Sequence, residues 1–170
     1  VSPYMLKDIN CKYVIIGHSE RRKKYFENSL ILKKKLLTTL KNGLTPIYCI
    51  GEESSIRKKK KTKEHLFKQL STTLPKNNKK RIIIAYEPVW AIGSGRTPKL
   101  DEVVEINLFI KQAIKKINSS YNKTEILYGG STNENNASYF LKNENIDGLL
   151  VGGTSLNFKK FSLILNHKYV

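Results

Sequence analysis

Five short apolar runs, separated by longer stretches, constrain the fold of this chain most strongly. The runs begin at residues 13, 46, 82, 125 and 148, so their starts lie 33, 36, 43 and 23 residues apart. This spacing fits repeated strand–helix units, because two neighbouring parallel strands need a crossover of about a dozen residues or more. Most runs are continuously apolar, which is typical of strands buried on both faces of a parallel sheet. The predicted strands are Tyr13–Ile16, Pro46–Ile50, Ile82–Tyr86, Glu125–Tyr128 and Gly148–Val151.

The stretches between the runs carry apolar residues at helical spacing. In the longest of them Asp101 and Glu102 also enrich the first turn, where the helix dipole favours acidic side chains. Only the polar segment 75–80 reads as a linker, and it lies inside one unit, so we expect a single domain over residues 1–170. The predicted helices are Leu30–Leu40, Lys61–Leu74, Leu100–Ile117, Asn136–Leu141 and Phe158–Leu165, and the apolar stripe of the third comprises Val103, Ile106, Ile110, Ala113, Ile114 and Ile117.

Candidate functional residues follow the carboxyl ends of the predicted strands. His18 and Ser19 follow the first strand, Glu87 and Pro88 follow the third, and glycine pairs follow the fourth and fifth. A TIM-type (β/α)8 barrel gathers catalytic groups at the carboxyl ends of several strands, whereas a doubly wound sheet binds its ligand at one switch point. The pattern therefore favours an α/β fold of the TIM-barrel type, with about five βα units in this chain.

The chain is strongly basic, with 31 lysine and arginine residues against 14 acidic ones and a net charge of +17. Such a charge suggests a nucleic-acid partner. The basic runs at 33–35, 58–61 and 115–116, however, lack the interleaved aromatic residues of a base-stacking surface. We therefore expect solvated lysines rather than a nucleic-acid site, although a basic surface still attracts anionic small molecules over long range.

The rest of the composition argues against several other classes. No apolar run approaches the roughly 20 residues that span a membrane, and we find no secretory signal. Cys11 and Cys49 are expected as buried free thiols in a reducing cytoplasm. We find no cluster with metal-ligand spacing and no dinucleotide or phosphate-loop glycine motif, so we predict neither a metal nor a cofactor. His65 and His167 lie in polar contexts and receive no role.

Glu87 ends an apolar run, and residues 88–97 after it combine an apolar centre, glycines near one end and flanking prolines. A carboxylate at the edge of an apolar site has a raised pKa and can act as a general base. The composition of 88–97 is typical of a lid that moves as a body and excludes water. The spacing alone supports equally well a capping glutamate before an ordinary loop.

His18 stands between Gly17 and a Ser-Glu-Arg-Arg segment. Ser19 is predicted to cap a short helix that has Glu20 in its first turn. A histidine at a helix N-terminus meets positive potential, which favours the uncharged ring, and an uncharged imidazole can donate a hydrogen bond to a carbonyl oxygen. A purely structural buried histidine is the alternative, and it is the commoner role of a single such residue.

Gly93, Ser131, Gly152 and Gly153 can present backbone N–H groups to an anion. Glycine lets a backbone approach a ligand closely, and successive N–H groups form an anion-binding nest. Turns of this kind after the last two strands fit the phosphate site of many βα barrels. One glycine pair can simply turn the chain, but two pairs after consecutive strands, each near a serine, favour a phosphate site.

Four segments together resemble the triosephosphate isomerase family in order and approximate spacing. They are Gly17–Arg22, Tyr86–Gly93, Tyr128–Ser131 and Val151–Gly153, and the resemblance extends from Val1 almost to the C-terminus. It implies interconversion of dihydroxyacetone phosphate and glyceraldehyde 3-phosphate without a cofactor. It also implies a cytoplasmic enzyme of glycolysis and gluconeogenesis that is a homodimer when full length.

The resemblance also implies roles for the matched residues. Glu87 would move a proton between two substrate carbons. Neutral His18 would polarise the carbonyl group and shuttle a proton between the oxygens of the enediol(ate), while the lid closes over this intermediate. The other matched residues are Gly93, Ser131, Gly152 and Gly153, which would bind the phosphate, and Glu20 and Tyr128, which would support the site.

Three lid residues depart from the family pattern. Ser94 and Arg96 replace the usual Thr and Lys, which are mild changes. Pro98 falls where the family uses a backbone N–H to latch the closed lid to a tyrosine, here Tyr128. Because proline has no N–H, we predict a weaker latch.

Length is the largest departure, since the family runs to about 250 residues, the usual barrel size. By resemblance Tyr13–Ile16 is the fourth strand, so we expect the last five βα units, the C-terminal two thirds of the barrel, from an incomplete sequence record. The asparagine and lysine after the family's first strand, and the third loop of its dimer contact, would then lie outside this chain. Two unpaired sheet edges would favour aggregation. Without the lysine charge and the rest of the barrel wall, we expect the fragment alone to have negligible isomerase activity. The alternative function is a non-catalytic phosphate- or RNA-binding remnant of the same fold.

Overall fold

The computed structural model describes residues 1–121 and 123–166, so His167, to which we assigned no role, lies outside the described residues. Strands and helices alternate along the chain. The strands are Tyr13–Ile16 (β1), Thr45–Ile50 (β2), Ile83–Tyr86 (β3), Ile126–Tyr128 (β4) and Gly148–Leu149 (β5). The α-helices are Pro3–Asp8 (α1), Ser19–Lys24 (α2), Ser29–Lys41 (α3), Ser54–Lys58 (α4), Thr62–Thr73 (α5), Leu100–Ile117 (α6), Ala137–Leu141 (α7) and Phe158–Asn166 (α8).

The five strands form one parallel sheet whose spatial order is the order of the sequence. Each strand therefore follows its neighbour through a helical crossover, and such crossovers are right-handed. Helix α3 packs against α5 and α5 packs against α6, which places these helices side by side on one face of the sheet. This singly wound order is that of a TIM barrel, and it confirms the α/β fold class predicted from the sequence.

The core lies between these helices and the sheet. The predicted stripe of α6 is confirmed, because Val103, Ile110 and Ile114 are buried against the core. Leu36 of α3 and Leu66 of α5 are fully buried beside it. Burying one such side chain contributes about 1.5–3 kcal/mol, so this layer is the main source of stability.

The predicted element boundaries are correct to within two residues, and α6 and β1 match the prediction in full. Helix α3 begins one residue early because the side chain of Asn28 accepts a hydrogen bond from the amide of Ile31 at 3.1 Å. Strand β5 ends at Leu149 rather than Val151, since it pairs with β4 alone before the chain turns at the glycine pair. The short helices α1 and α4 were not predicted.

The predicted burial of both faces is correct for β3 and wrong for β1. All four residues of β3 are buried. In β1, Tyr13 and Ile15 are 48% and 50% exposed. The reason is position, because β1 and β5 are the two edges of the described sheet and Ile15 faces an open cavity.

The two cysteines are free, as predicted. Cys49 is fully buried in β2, but Cys11, before β1, is only half-buried, so the expectation of burial is correct for Cys49 alone. None of the helices in the described ranges has the length and apolar character of a membrane span.

Candidate active site

A cavity of about 430 Å³ opens at the carboxyl ends of the strands. Parallel strands bring their carboxyl ends to one edge of the sheet, so residues far apart in sequence meet there. Six of the predicted site residues line this cavity, namely His18, Glu87, Gly93, Ser131, Gly152 and Gly153.

Backbone packing places Glu87 directly after β3. Its amide donates to the carbonyl of Ile50 at 2.7 Å. A β-carbon at Gly51 would overlap the Glu87 carbonyl group, and one at Gly129 would lie 3.0 Å from the Glu87 γ-carbon. Glycine at both positions therefore lets the neighbouring strand ends close around Glu87, which is only 2% exposed.

Donors on the turn after β1 hold the Glu87 carboxylate. The amide of Ser19 donates to Oε2 at 3.1 Å, and Nε2 of His18 lies 3.2 Å from Oε1. Burial raises the pKa of the Glu87 carboxyl group above its usual range, and the His18 ring and the Ser19 amide offset only part of that effect. The expected direction of this pKa shift is thus confirmed.

The cap of helix α2 differs from the prediction. His18, not Ser19, is the N-cap residue, and its Nδ1 accepts the Glu20 amide at 3.4 Å. Ser19 is the first helical residue, and its amide is directed to Glu87 instead. With Nδ1 as an acceptor, the hydrogen-bond network assigns the ring proton to Nε2, which faces Glu87, and this is the neutral tautomer.

Arg22 ties the His18 turn to the end of β2. Its Nε donates to the Gly17 carbonyl at 2.7 Å, and its Nη2 donates to the Cys49 carbonyl at 2.7 Å. Gly17 has a φ of +74°, a left-handed conformation that glycine adopts without strain. Arg22 therefore fixes the backbone from which His18 projects.

The other side of the cavity is a wall of backbone amides. Gly93, Gly152 and Gly153 are exposed, and Ser131 is half-buried. Within residues 1–121 and 123–166, the amides of these four residues have no hydrogen-bond acceptor. The Ser131 hydroxyl group donates to the carbonyl of Ala91 at 2.8 Å, which leaves the Ser131 amide as its free donor. These N–H groups can bind an anion.

The segment predicted as a lid starts in a buried hinge and continues into an exposed tip. Residues Val89–Ala91 form one 3-10 turn, and Nε1 of Trp90 donates to Oε1 of Glu52 at 3.0 Å. Glu52 is fully buried, which raises the pKa of its carboxyl group. The tip, residues 93–97, is exposed, and Gly93 and Gly95 have positive φ values of +63° and +70°.

Glu20 and Tyr128 lie outside this cavity. Glu20 is exposed, pairs with Lys24 at 3.4 Å and lines an adjoining cavity of about 610 Å³ that shares Glu87. Tyr128 is fully buried, with its ring stacked on Phe140 at a centroid distance of 4.3 Å. Its hydroxyl group has no hydrogen-bond partner in the described part of the chain, and Pro98 offers no N–H to it.

Comparison with known proteins identifies the family. A family model described as triosephosphate isomerase matches residues 1–168. The chain belongs to the triosephosphate isomerase family. This confirms the resemblance that its four motifs indicate.

Three similar proteins are named triosephosphate isomerase. That of Dictyoglomus thermophilum is 44% identical over 166 residues, which cover 95% of this chain and 67% of the relative. That of Thermodesulfovibrio yellowstonii is 44% identical over 169 residues, which cover 98% of this chain and 69% of the relative. That of Shewanella halifaxensis is 40% identical over 165 residues, which cover 95% of this chain and 64% of the relative. The chain therefore spans about two thirds of the length of these triosephosphate isomerases.

Several residues that shape the site carry no signal in the sequence. Gly51 and Glu52 act through contacts with distant segments, and neither lies in a motif that the sequence analysis singled out. Arg22 ends the Gly17–Arg22 motif, but its hydrogen bond to the Cys49 carbonyl cannot be read from that motif. No group of three or more His, Cys, Asp or Glu side chains in the described ranges is placed to hold a metal ion.

Proposed function

We propose that this chain carries the acid–base centre of a triosephosphate isomerase, which interconverts dihydroxyacetone phosphate and D-glyceraldehyde 3-phosphate through an enediol(ate). The observation that carries the proposal is the buried Glu87 carboxylate, 3.2 Å from Nε2 of His18, in a cavity whose other wall consists of backbone amides. Membership of the family adds the chemical class of the substrate.

Substrate binding begins at the amide wall. A phosphate group brings negative charge and several acceptor oxygens, and the N–H groups of Gly93, Ser131, Gly152 and Gly153 are open to it. The net charge of +17 favours encounter with such an anion. With the phosphate held there, the carbon end of a three-carbon substrate reaches towards Glu87 and His18.

Catalysis then requires an exchange of partners. In the structure Glu87 and His18 contact each other directly, so no substrate fits between them in this arrangement. The substrate carbonyl oxygen takes over the Nε2–H of His18, and the freed carboxylate of Glu87 turns to the adjacent carbon. Burial raises the pKa of Glu87, which strengthens it as a base.

Proton movements between the two residues complete the isomerisation. Glu87 removes a proton from the hydroxymethyl carbon of dihydroxyacetone phosphate, and the electron pair moves to the carbonyl oxygen, which accepts the Nε2 proton of His18. The proton of the neighbouring hydroxyl group returns to His18. Glu87 then delivers its proton to the former carbonyl carbon, so the aldehyde forms and both side chains are restored.

The lid excludes water from this intermediate and prevents loss of the phosphate group. Its latch is weaker than in the family pattern, because Pro98 has no N–H for the hydroxyl group of Tyr128. Among the described residues the Tyr128 hydroxyl group has no hydrogen-bond partner, which supports this proposal.

We infer that residues 1–170 by themselves turn over substrate slowly. In the described residues β1 and β5 are sheet edges, so the cavity is open on one side and water reaches it. The family's positively charged lysine, which stabilises the developing enediolate, has no counterpart among the matched motifs. Losing one preorganised charge of this kind costs on the order of 10²–10³ in turnover.

The biological setting follows from the same proposal. We assign the reaction to glycolysis and gluconeogenesis in the cytoplasm, and the free thiols of Cys11 and Cys49 support a reducing compartment.

We assign a homodimer to the protein, and the exposed aromatic side chains of Tyr25 and Phe26 support a contact surface. Sedimentation across a range of concentrations tests the dimer, and a constant monomer mass contradicts it.

A phosphate-binding protein without isomerase activity is the second candidate. The open sheet favours it, because the amide wall can bind an anion without a closed cavity. Turnover that depends on Glu87 separates the two candidates.

Two measurements on residues 1–170 test the proposal. Titration with glycerol 3-phosphate, followed by amide NMR, is expected to shift the four wall residues together and saturably. A coupled isomerase assay is expected to give turnover on the order of 10²–10³ below that of the Dictyoglomus thermophilum enzyme. Glu87→Gln is expected to lower this turnover further, on the order of 10³, whereas Glu64→Gln, an exposed control on α5, leaves it unchanged. If glycerol 3-phosphate does not bind, the proposed phosphate site is wrong. If turnover equals that of the Dictyoglomus thermophilum enzyme, the inference of a slow reaction is wrong.

A further inference from the structure

Arg57 lies between the two ends of the lid. It belongs to the short helix α4 and takes no part in the acid–base pair. Its guanidinium carbon lies 4.2 Å from the centroid of the Trp90 ring, and its Nη2 lies 2.6 Å from Oε1 of Glu102. One side chain therefore contacts an aromatic ring on one side and a carboxylate on the other.

These two partners connect to opposite ends of the lid, residues 88–97. Trp90 lies in the first turn after Glu87 and is anchored on Glu52. Glu102 reaches the other end, because its Oε2 accepts the amide of Lys99 at 3.1 Å. Lys99 is the N-cap of α6, where the lid joins that helix. Arg57 thus contacts the first hinge directly at Trp90 and reaches the second hinge, at Lys99, through Glu102.

We propose that Arg57 is a positioning residue that couples the two hinges of the lid, so that they are held and released together. A planar guanidinium group suits this task, since its face stacks on an indole while its edge binds a carboxylate. A lysine ammonium group keeps the ion pair but has no flat face to stack on the indole. The inference deepens the proposed function, because a lid whose ends move together closes over the substrate as one body.

Trp90 provides a direct readout, because it is the one tryptophan of the chain. Labelling with 5-fluorotryptophan gives a single ¹⁹F signal from the first hinge, and hydrogen exchange of the Lys99 amide reports the second. Arg57→Met is expected to raise acrylamide quenching of Trp90 and exchange at Lys99, each on the order of threefold. Unchanged quenching and exchange overturn the proposal.

Lys63→Met is the matched control. Lys63 also joins an aromatic ring to a glutamate, since it lies 5.9 Å from the centroid of Phe109 and 2.6 Å from Oε1 of Glu105, but it does not contact the lid. This variant is expected to leave the Trp90 and Lys99 signals unchanged. An equal response to Lys63→Met means that any loss of such a bridge loosens the lid, and it overturns the specific role of Arg57.

A double-mutant cycle tests the coupling itself. Glu102→Gln keeps an acceptor for the Lys99 amide but removes the charge that holds Arg57. It is expected to shift the Trp90 signal when Arg57 is present and to have little effect in the Arg57→Met background. Equal shifts in both backgrounds, or none in either, overturn the coupling. Should Arg57→Met fail to fold by circular dichroism, Arg57→Lys replaces it in the same cycle.

The cycle uses the unliganded chain, so it does not depend on catalysis. A chain that fails to bind glycerol 3-phosphate but shows a non-additive cycle contradicts the proposed function and supports the coupling. A chain that binds glycerol 3-phosphate but shows an additive cycle overturns the coupling alone.

Discussion

The two halves of the candidate site are built in opposite ways. The acid–base half is buried and hydrogen bonded, with Glu87 only 2% exposed and held by His18 and Ser19. The phosphate half is an exposed wall whose amides have no acceptor among the described residues. Burial tunes a group that must gain and lose a proton, whereas open N–H groups suit a ligand that brings its own charge. Substitutions in the two halves should therefore affect different kinetic constants.

Glu87→Gln is expected to have the largest effect. It keeps the shape and the acceptor oxygen but removes the base, so kcat falls on the order of 10³ while KM changes little. Steady-state assays with purified variant and parent measure both constants. Losses of similar size in kcat and KM would place Glu87 in binding rather than in proton transfer.

His18→Gln is expected to lower kcat on the order of 10², again with little change in KM. Glutamine can donate a hydrogen bond to the carbonyl oxygen but cannot relay a proton between two oxygens. Ser19→Ala serves as a neighbouring control, because its contribution to Glu87 is through the backbone amide. A kcat for His18→Gln equal to that of the parent contradicts the proton relay.

Gly153→Pro tests the phosphate half by removing one backbone N–H group from it. The Gly153 amide has no acceptor in the described residues, so the substitution removes no hydrogen bond of the fold. We expect glycerol 3-phosphate to bind about tenfold more weakly, as for loss of one charge-assisted hydrogen bond. Calorimetric titration against Gly153→Ala as control measures the change. Equal affinities of the two variants would exclude this amide from the site.

Pro98→Ala is expected to reduce the fraction of substrate lost to methylglyoxal by elimination of phosphate. Alanine restores an N–H that the hydroxyl group of Tyr128 can accept, and one such bond corresponds to about fivefold. Tyr128→Phe is then expected to be silent in the parent and to cancel the gain in the Pro98→Ala variant. Identical elimination in the parent and Pro98→Ala contradicts the weakened latch.

The pH dependence of stability is the smallest expected effect. Burial raises the pKa of the Glu52 carboxyl group in the folded state. The folded state therefore binds the proton more tightly, so the contribution of Glu52 to stability is fully present below its ordinary pKa and is lost as pH rises through the raised value. The free energy of unfolding, measured with urea, is therefore expected to fall less with rising pH in Glu52→Gln than in the parent. Parallel pH curves would contradict it.

Elements buried by an evident pattern were the easiest to predict. The stripe of α6 follows from helical periodicity and β3 follows from its continuous apolar run, because both elements are packed against the core. The prediction for β1 was wrong about burial, since an edge strand can have an apolar sequence and still expose Tyr13 and Ile15. The position of a strand in the sheet, not its composition, decides how much of its side chains is exposed.

The cavity was predictable because parallel strands share one carboxyl edge, whereas its fine geometry was not. The direct contact between Glu87 and His18, and the His18 cap, depend on rotamers that no spacing reveals. The supports of the site are long-range. The link from Arg57 to Trp90 joins segments with no shared motif, and α4 is too short to show periodicity.

The central claim is that Glu87 removes a carbon-bound proton from a triose phosphate. The most direct test is to incubate residues 1–170 with dihydroxyacetone phosphate in D₂O and to follow deuterium incorporation into the substrate by proton NMR, because exchange reports proton removal even where isomerisation is slow. We predict incorporation by the parent chain above the rate without protein, and none above that rate by Glu87→Gln. Equal incorporation by both proteins, or none by either, would contradict the assignment of Glu87 as the base.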